Sequence, residues 1–200
     1  LGIPFIFTGH SLGMVKIAAM PELAGDNSMD RRLEAEECAL QNASLIIASS
    51  RDEAELQYKT YQNYDAGKIR VLPPGSDLAA FQAARSSDAV ETELCRFLTD
   101  PKKPVLLAIA RPVTKKNLIG LGRAYGKSKA LQDAANLVII AGNRNEIDEL
   151  EPDLAINLRE ILHLVDSYDL YGKVAYPKTH RPCDVPAYYA FARDRRGIFV

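Results

Sequence analysis

Two hundred residues, 47% hydrophobic and 26% charged, describe a globular chain long enough to bury a core and exclude a disordered one. Twenty-five basic against 26 acidic side chains leave a net charge of -1, so no long-range field recruits nucleic acid or an anionic membrane, and any anion site has to be local. No run of about eighteen apolar residues and no basic, apolar leader is present, and Cys38, Cys95 and Cys183 are few and far apart, which reads as reduced thiols in a cytoplasm.

The chain starts at Leu1, without methionine, and stops at "GIFV", which reads as an excised piece of a longer protein. "GIPFIFTGH" has the short apolar core of a buried strand ending near Thr8. "MDRRLEAEECALQNA" sets Leu33, Glu36 or Glu37 and Leu40 at helical spacing. "SLIIASS" is a strand, and Ser50 with Glu53 forms the capping box of a helix "DEAELQYKTY". "KIRVLPPGSD" closes a third strand with Pro73, Pro74 and Gly75. A weaker, alanine-rich and charged helical stretch runs from Leu78 to Lys103. The pattern then restarts: strand "PVLLAIA", helix "NLIGLGRAYGKSKAL", strand "NLVIIAG", a helix over 152–165, strand "KVAYP", helix "VPAYYAFARD" and strand "GIFV".

Strands rich in Val, Ile and Leu, separated by helices, predict parallel sheets covered on both faces. The fold class is therefore α/β, with two doubly wound Rossmann-like units, both incomplete, spanning 1–78 and 79–200.

In such sheets ligands bind beyond the carboxyl ends of the strands. Those ends carry "GHSLGMVK", "PPGSD", "RPVTKKN", "GNRNE" and "YPKTHRPCDVP". Arg111 leaves the fourth strand and Lys116 falls near the start of the next helix, where free amides and the helix dipole favour an anion. A diphosphate suits both; solvated lysines and an Arg111 paired with an acidic neighbour are the competing reading.

Glycines on either side of His10 and Ser11 permit close backbone approach to a ligand. The same string satisfies Gly-x-Ser-x-Gly, which would make Ser11 a hydrolase nucleophile served by His163 or His180. Against that reading, His163 falls within "EILHLVD", on what reads as a packed helix face.

"FTGHSLG", "RRLEAEECAL", "ASSRDE", "VLPPGSD", "ARPVTKKNLIGLGRAYG", "NLVIIAGNRNEIDEL" and "LVDSYDLYGKVAYPKTHRPCDVPAYYAFA" occur in the order found in sucrose-phosphate synthases, and the chain resembles that family over nearly its whole length. The resemblance implies a retaining glycosyltransferase of the GT-B fold that moves glucose from UDP-glucose, or ADP-glucose, to fructose 6-phosphate.

By similarity, Arg111 and Lys116 neutralise the departing diphosphate and His10 meets the donor glucose. Gly142, Asn143, Arg144, Tyr176 and Lys178 are expected at the nucleotide. Ser11, Lys16, Arg31 and Arg32 are expected at the acceptor phosphate, where guanidinium forks fit phosphate geometry. The competing reading of Arg31 and Arg32 is a surface pair bonded to Glu34 to Glu37.

No tightly bound cofactor and no metal is implied; a sugar nucleotide and a sugar phosphate are the expected partners. Val113 and Thr114 stand where the family usually has Asp-Pro, which alters the loop and spares both cations. The chain stops before the family's sugar-binding glutamate loop, so the expectation is that it is inactive alone. A free-fructose relative such as sucrose synthase and a non-catalytic sugar-nucleotide-binding module remain alternatives.

Overall fold

A computed structural model describes residues 3–142 and 144–200. It forms two α/β units, one running to Ser76 and the other from Asp77 to Val200, two residues ahead of the expected seam.

The first unit contains β1 (Ile6–Thr8), α1 (Gly13–Ala19), α2 (Asn27–Asn42), β2 (Leu45–Ala48) and β3 (Ile69–Val71). The strands pair in parallel in the order β1-β2-β3. The long helix starts two residues before the predicted Met29, because the Asp26 carboxylate accepts from the amides of Ser28 and Met29 at 2.7 and 3.2 Å.

Leu12, Leu40, Ile46, Ala54, Tyr58 and Tyr61 make the core on one face of this sheet. The register puts Ile6 beside Leu45 and Thr8 beside Ile47 on the other face, where Ile6 is 64% exposed. The expected two-sided cover is therefore absent from this unit among the described residues.

Ser50 does cap the segment after β2, its Oγ accepting from the Glu53 amide at 3.1 Å. The Glu53 carboxylate, however, turns back to the amide and hydroxyl of Ser49 rather than to Ser50. The following backbone is a π-turn over Glu53–Gln57 and a 3-10 turn over Tyr58–Thr60, where an α-helix was expected.

In the second unit, α3 (Leu78–Ala83) and α4 (Asp88–Cys95) precede β4 (Val105–Ile109). Then come α5 (Leu118–Lys127), α6 (Lys129–Ala134), β5 (Asn136–Ile140), α7 (Pro152–Ser167), β6 (Val174–Ala175), α8 (Val185–Asp194) and β7 (Ile198–Phe199). The order is β6-β5-β4-β7, all parallel. All five residues of β5 are buried, as a central strand requires.

Val90, Leu94, Tyr188 and Phe191 from α4 and α8 pack on one face. Leu118, Tyr125, Leu158 and Ile161 from α5 and α7 pack on the other, so this unit is doubly wound. The single helix expected over "NLIGLGRAYGKSKAL" divides at Ser128, whose Oγ accepts from the Leu131 amide at 3.3 Å and starts α6 as its own helix.

Candidate functional site

The short apolar run of β4 ends at Ile109, and the chain turns outward at Arg111. Arg111 is exposed and lines a recess of about 170 Å³ with Ile140, Gly142 and His180 at the carboxyl ends of β4 and β5. Gly142 has φ +72°, a left-handed conformation that lets the chain leave β5 tightly at this point.

Lys116 lies in a 3-10 turn (Thr114–Lys116) just before α5. Asn117 follows with φ 52° and caps α5, its side-chain oxygen accepting from the Gly120 amide at 3.2 Å. No hydrogen bond or ion pair within the described residues engages the Arg111 or Lys116 side chain. The competing reading, in which an acidic neighbour takes Arg111, is thereby removed among those residues.

The lysine turn is fixed from α7. The Asp153 carboxylate accepts from the Thr114 amide at 3.2 Å and from the Thr114 hydroxyl at 2.6 Å, and Asn157 Nδ2 donates to Asp153 Oδ1 at 3.0 Å. These bonds to Thr114, then to Asn157, hold the Asp153 carboxyl below the usual carboxylate range. Sequence reading missed Asp153; the acidic residue after Pro152 at a helix start was its one signal.

Arg144 is less available than expected for a nucleotide contact. Its Nη2 donates to the Tyr176 carbonyl at 2.7 Å, its amide donates to the Lys178 carbonyl at 3.0 Å, and its guanidinium sits 5.4 Å from the Tyr176 ring centroid. Burial pushes its pKa down. Tyr176 packs in turn on Phe97, centroids 5.0 Å apart, while Lys178 is exposed. Asn143 lies outside the described residues.

In the first unit the Gly9–Gly13 loop crosses the carboxyl end of the sheet. His10 is exposed and lines a recess of about 250 Å³ with Thr8, Ser49, Glu53, Leu72 and Gly75, so one pocket gathers the ends of all three strands. Ser11 has φ 63°, exposed at the turn between β1 and α1. Lys16 is half-buried on α1 and Arg31 is exposed on α2, neither with a side-chain partner among the described residues.

Arg32 differs: its Nε donates to Glu36 Oε1 at 2.9 Å and its Nη2 to the Ser11 carbonyl at 2.5 Å. For this residue the surface-pair reading with the Glu34–Glu37 segment describes the geometry.

The hydrolase reading gains the strand-turn-helix setting and the positive φ at Ser11, yet no imidazole bonds its hydroxyl among the described residues. His163 is exposed on α7 beside Ser167 Oγ at 3.1 Å, not packed as expected.

Size does not choose the site. A recess of about 570 Å³ beside α4 is lined by Asp88, Glu93 and Asp184 with Arg96, a balance that repels a diphosphate.

No family model matches the chain. Aligned over its full length, it is 36% identical to a probable sucrose-phosphate synthase 5 of Oryza sativa subsp. japonica, covering 25% of that protein. It is 36% identical to a probable sucrose-phosphate synthase 1 of Craterostigma plantagineum and 35% identical to a probable sucrose-phosphate synthase 2 of Arabidopsis thaliana, covering 23% of each.

The chain is a homologue of sucrose-phosphate synthases. It spans about a quarter of the length of these sucrose-phosphate synthase relatives. Among solved structures, the catalytic domain of starch synthase IV from Arabidopsis thaliana, bound to ADP and acarbose, superposes with a TM-score of 0.55 at 13% identity. That superposition covers 78% of this chain and 34% of the other. At such identity it speaks to the fold alone, which is of the GT-B class, built from parallel α/β units.

Proposed function

We propose that this chain carries donor and acceptor residues of a retaining glucosyltransferase that moves glucose from UDP-glucose, or ADP-glucose, to fructose 6-phosphate and forms sucrose 6-phosphate. The observation that carries the reading is the pair of exposed, unpartnered cations Arg111 and Lys116 at the end of β4 and the start of α5. As the bond from the anomeric carbon to the diphosphate breaks, its electron pair goes to a phosphate oxygen. Two cations placed there neutralise that growing charge.

The other assignments follow the same division. Gly142 gives the backbone room beside Arg111, and Tyr176 with Lys178 flanks the nucleotide base; Arg144 supports this strand end through the Tyr176 carbonyl. His10 faces the donor glucose. Lys16 and Arg31 supply charge for the acceptor phosphate near Ser11. A free-fructose acceptor needs no such cations, which is what favours the phosphorylated sugar over the sucrose synthase alternative.

The test is a transfer assay on the full-length protein with UDP-glucose. Arg111→Ala and Lys116→Ala are each expected to lower kcat/KM by about 10²-fold or more. Tight UDP binding with no transfer by the unaltered protein would instead identify a non-catalytic binding module. Ester cleavage abolished by Ser11→Ala would establish the hydrolase.

A further inference from the structure

The Gly9–Gly13 loop is held by a carboxylate that the proposed transfer does not use. Glu36, 11% exposed at its side chain, accepts from the Gly13 amide at 2.9 Å, from Arg32 Nε at 2.9 Å and from the Tyr61 hydroxyl. Tyr61 closes the circuit by accepting from the Met14 amide at 3.2 Å. Arg32 reaches on to the Ser11 carbonyl. Glu36 and its two partners thus grip Ser11, Gly13 and Met14, across the end of the loop and the start of α1.

Burial and the bond to Glu36 hold the Tyr61 phenol protonated, so it remains a donor. Gly13 suits this fit: a Cβ there would lie 2.8 Å from Leu33 Cδ2 and 2.9 Å from Glu36 Oε2, two side-chain tips that would have to shift. From the opposite side Tyr58 Oη accepts from the Gly9 amide at 2.9 Å.

This arrangement separates two arginines that the sequence treats as a pair. Residues one apart on a helix point about 100° apart, and of this pair Arg32 is turned to Glu36 and to the Ser11 carbonyl. The Nε and Nη2 groups of Arg32 form the edge that grips an oxyanion side-on, and both are taken, one by Glu36 and one by Ser11. A phosphate arriving at that edge would also meet the Glu36 carboxylate as a like charge. Arg31 is the exposed and uncommitted member.

We propose that Glu36, acting through Arg32 and Tyr61, is a positioning residue that fixes the backbone of the loop carrying His10 and Ser11, and that Arg31 rather than Arg32 answers the acceptor phosphate. The second half rests on the glucosyltransferase function proposed for the chain; the first half does not.

Two measurements on the full-length protein separate them. The first is amide hydrogen exchange resolved at single residues. Glu36→Ala, and Arg32→Lys as a milder change that keeps the charge and loses the two-pronged edge, raise exchange in the Ser11–Met14 segment at least about 10-fold. Amides of β5 stay protected in both variants, and Arg31→Ala leaves the loop protected. Loop exchange that does not respond to Glu36→Ala or Arg32→Lys overturns the clamp.

The second is the ratio of kcat/KM for fructose 6-phosphate over fructose. Arg31→Ala lowers this ratio about 10-fold or more. Arg32→Lys and Arg32→Ala lower turnover on both acceptors by a similar factor, on the order of 10-fold, and keep the ratio, because they displace the loop and leave the phosphate-binding cation in place. A selective fall of the ratio in the Arg32 variants overturns the division of roles. Should the unaltered protein transfer glucose to neither acceptor, the proposed function fails, and hydrogen exchange still decides the clamp.

Discussion

Lys116 is aimed by a carboxylate it never touches. Asp153 binds both the amide and the hydroxyl of Thr114, two residues before Lys116 in the same turn, so the lysine leaves an anchored backbone. Asp153→Asn removes the charge from two accepted bonds and is expected to raise the KM for the sugar nucleotide about 10-fold with a smaller effect on kcat, read by steady-state kinetics. The pH sense follows from the depressed carboxyl: its bonds to Thr114 are fully present above the ordinary aspartate range near about 4 and are lost as pH falls below it.

A lysine next to a strand end was legible from sequence, because strand hydrophobicity and turn residues place it. The remote partner was not, since Thr114 and Asp153 are brought together only by the packing of the turn onto α7. The sequence likewise ranks Arg31 and Arg32 alike, and only the bonds of Arg32 to Glu36 and Ser11 distinguish them.

At the level of elements, the strands were readable because they are short aliphatic runs, most of them closed by Gly or Pro, as in "VLLAIARP". The segment after β2 was misread as an α-helix: its capping signal is real, but Glu53 is pulled to Ser49, and the turns that follow bring Tyr58 to the Gly9 amide and Tyr61 to that of Met14. A local signal cannot report such a tertiary override.

Gly197, entering β7, provides a test of element packing. A Cβ there would lie 2.3 Å from the Val105 carbonyl oxygen and 2.9 Å from that of Ala192, both backbone atoms that cannot swing aside. Gly197→Ala is expected to destabilise the second unit by about 1–3 kcal/mol in urea unfolding, with the slope unchanged.

Across the whole molecule, parallel α/β organisation was legible from the alternation of strands and helices, and one-sided cover of the first sheet was not. Ile46 is 0% exposed and Ile6 64%, although both read as core from sequence. Ile46→Ala is therefore expected to cost about 2–5 kcal/mol, and Ile6→Ala to fall within about 0.5 kcal/mol, by chemical denaturation.

Alkaline stability belongs to this scale as well. Burial of Tyr125, whose hydroxyl donates to the Ala135 carbonyl at 2.8 Å, pushes its pKa up to about 12. The folded state thus holds the proton more tightly than the unfolded chain. Its contribution is complete below about pH 10, the ordinary tyrosine value, and declines as pH rises toward 12. Tyr125→Phe is expected to flatten that decline in a pH series of melting temperatures.

The most direct measurement is a structure of the full-length protein with UDP bound. The predicted result has the Arg111 guanidinium and the Lys116 ammonium each within about 3 Å of diphosphate oxygens. Nucleotide seated elsewhere, or both cations turned from it toward carboxylates, would contradict the role proposed for them.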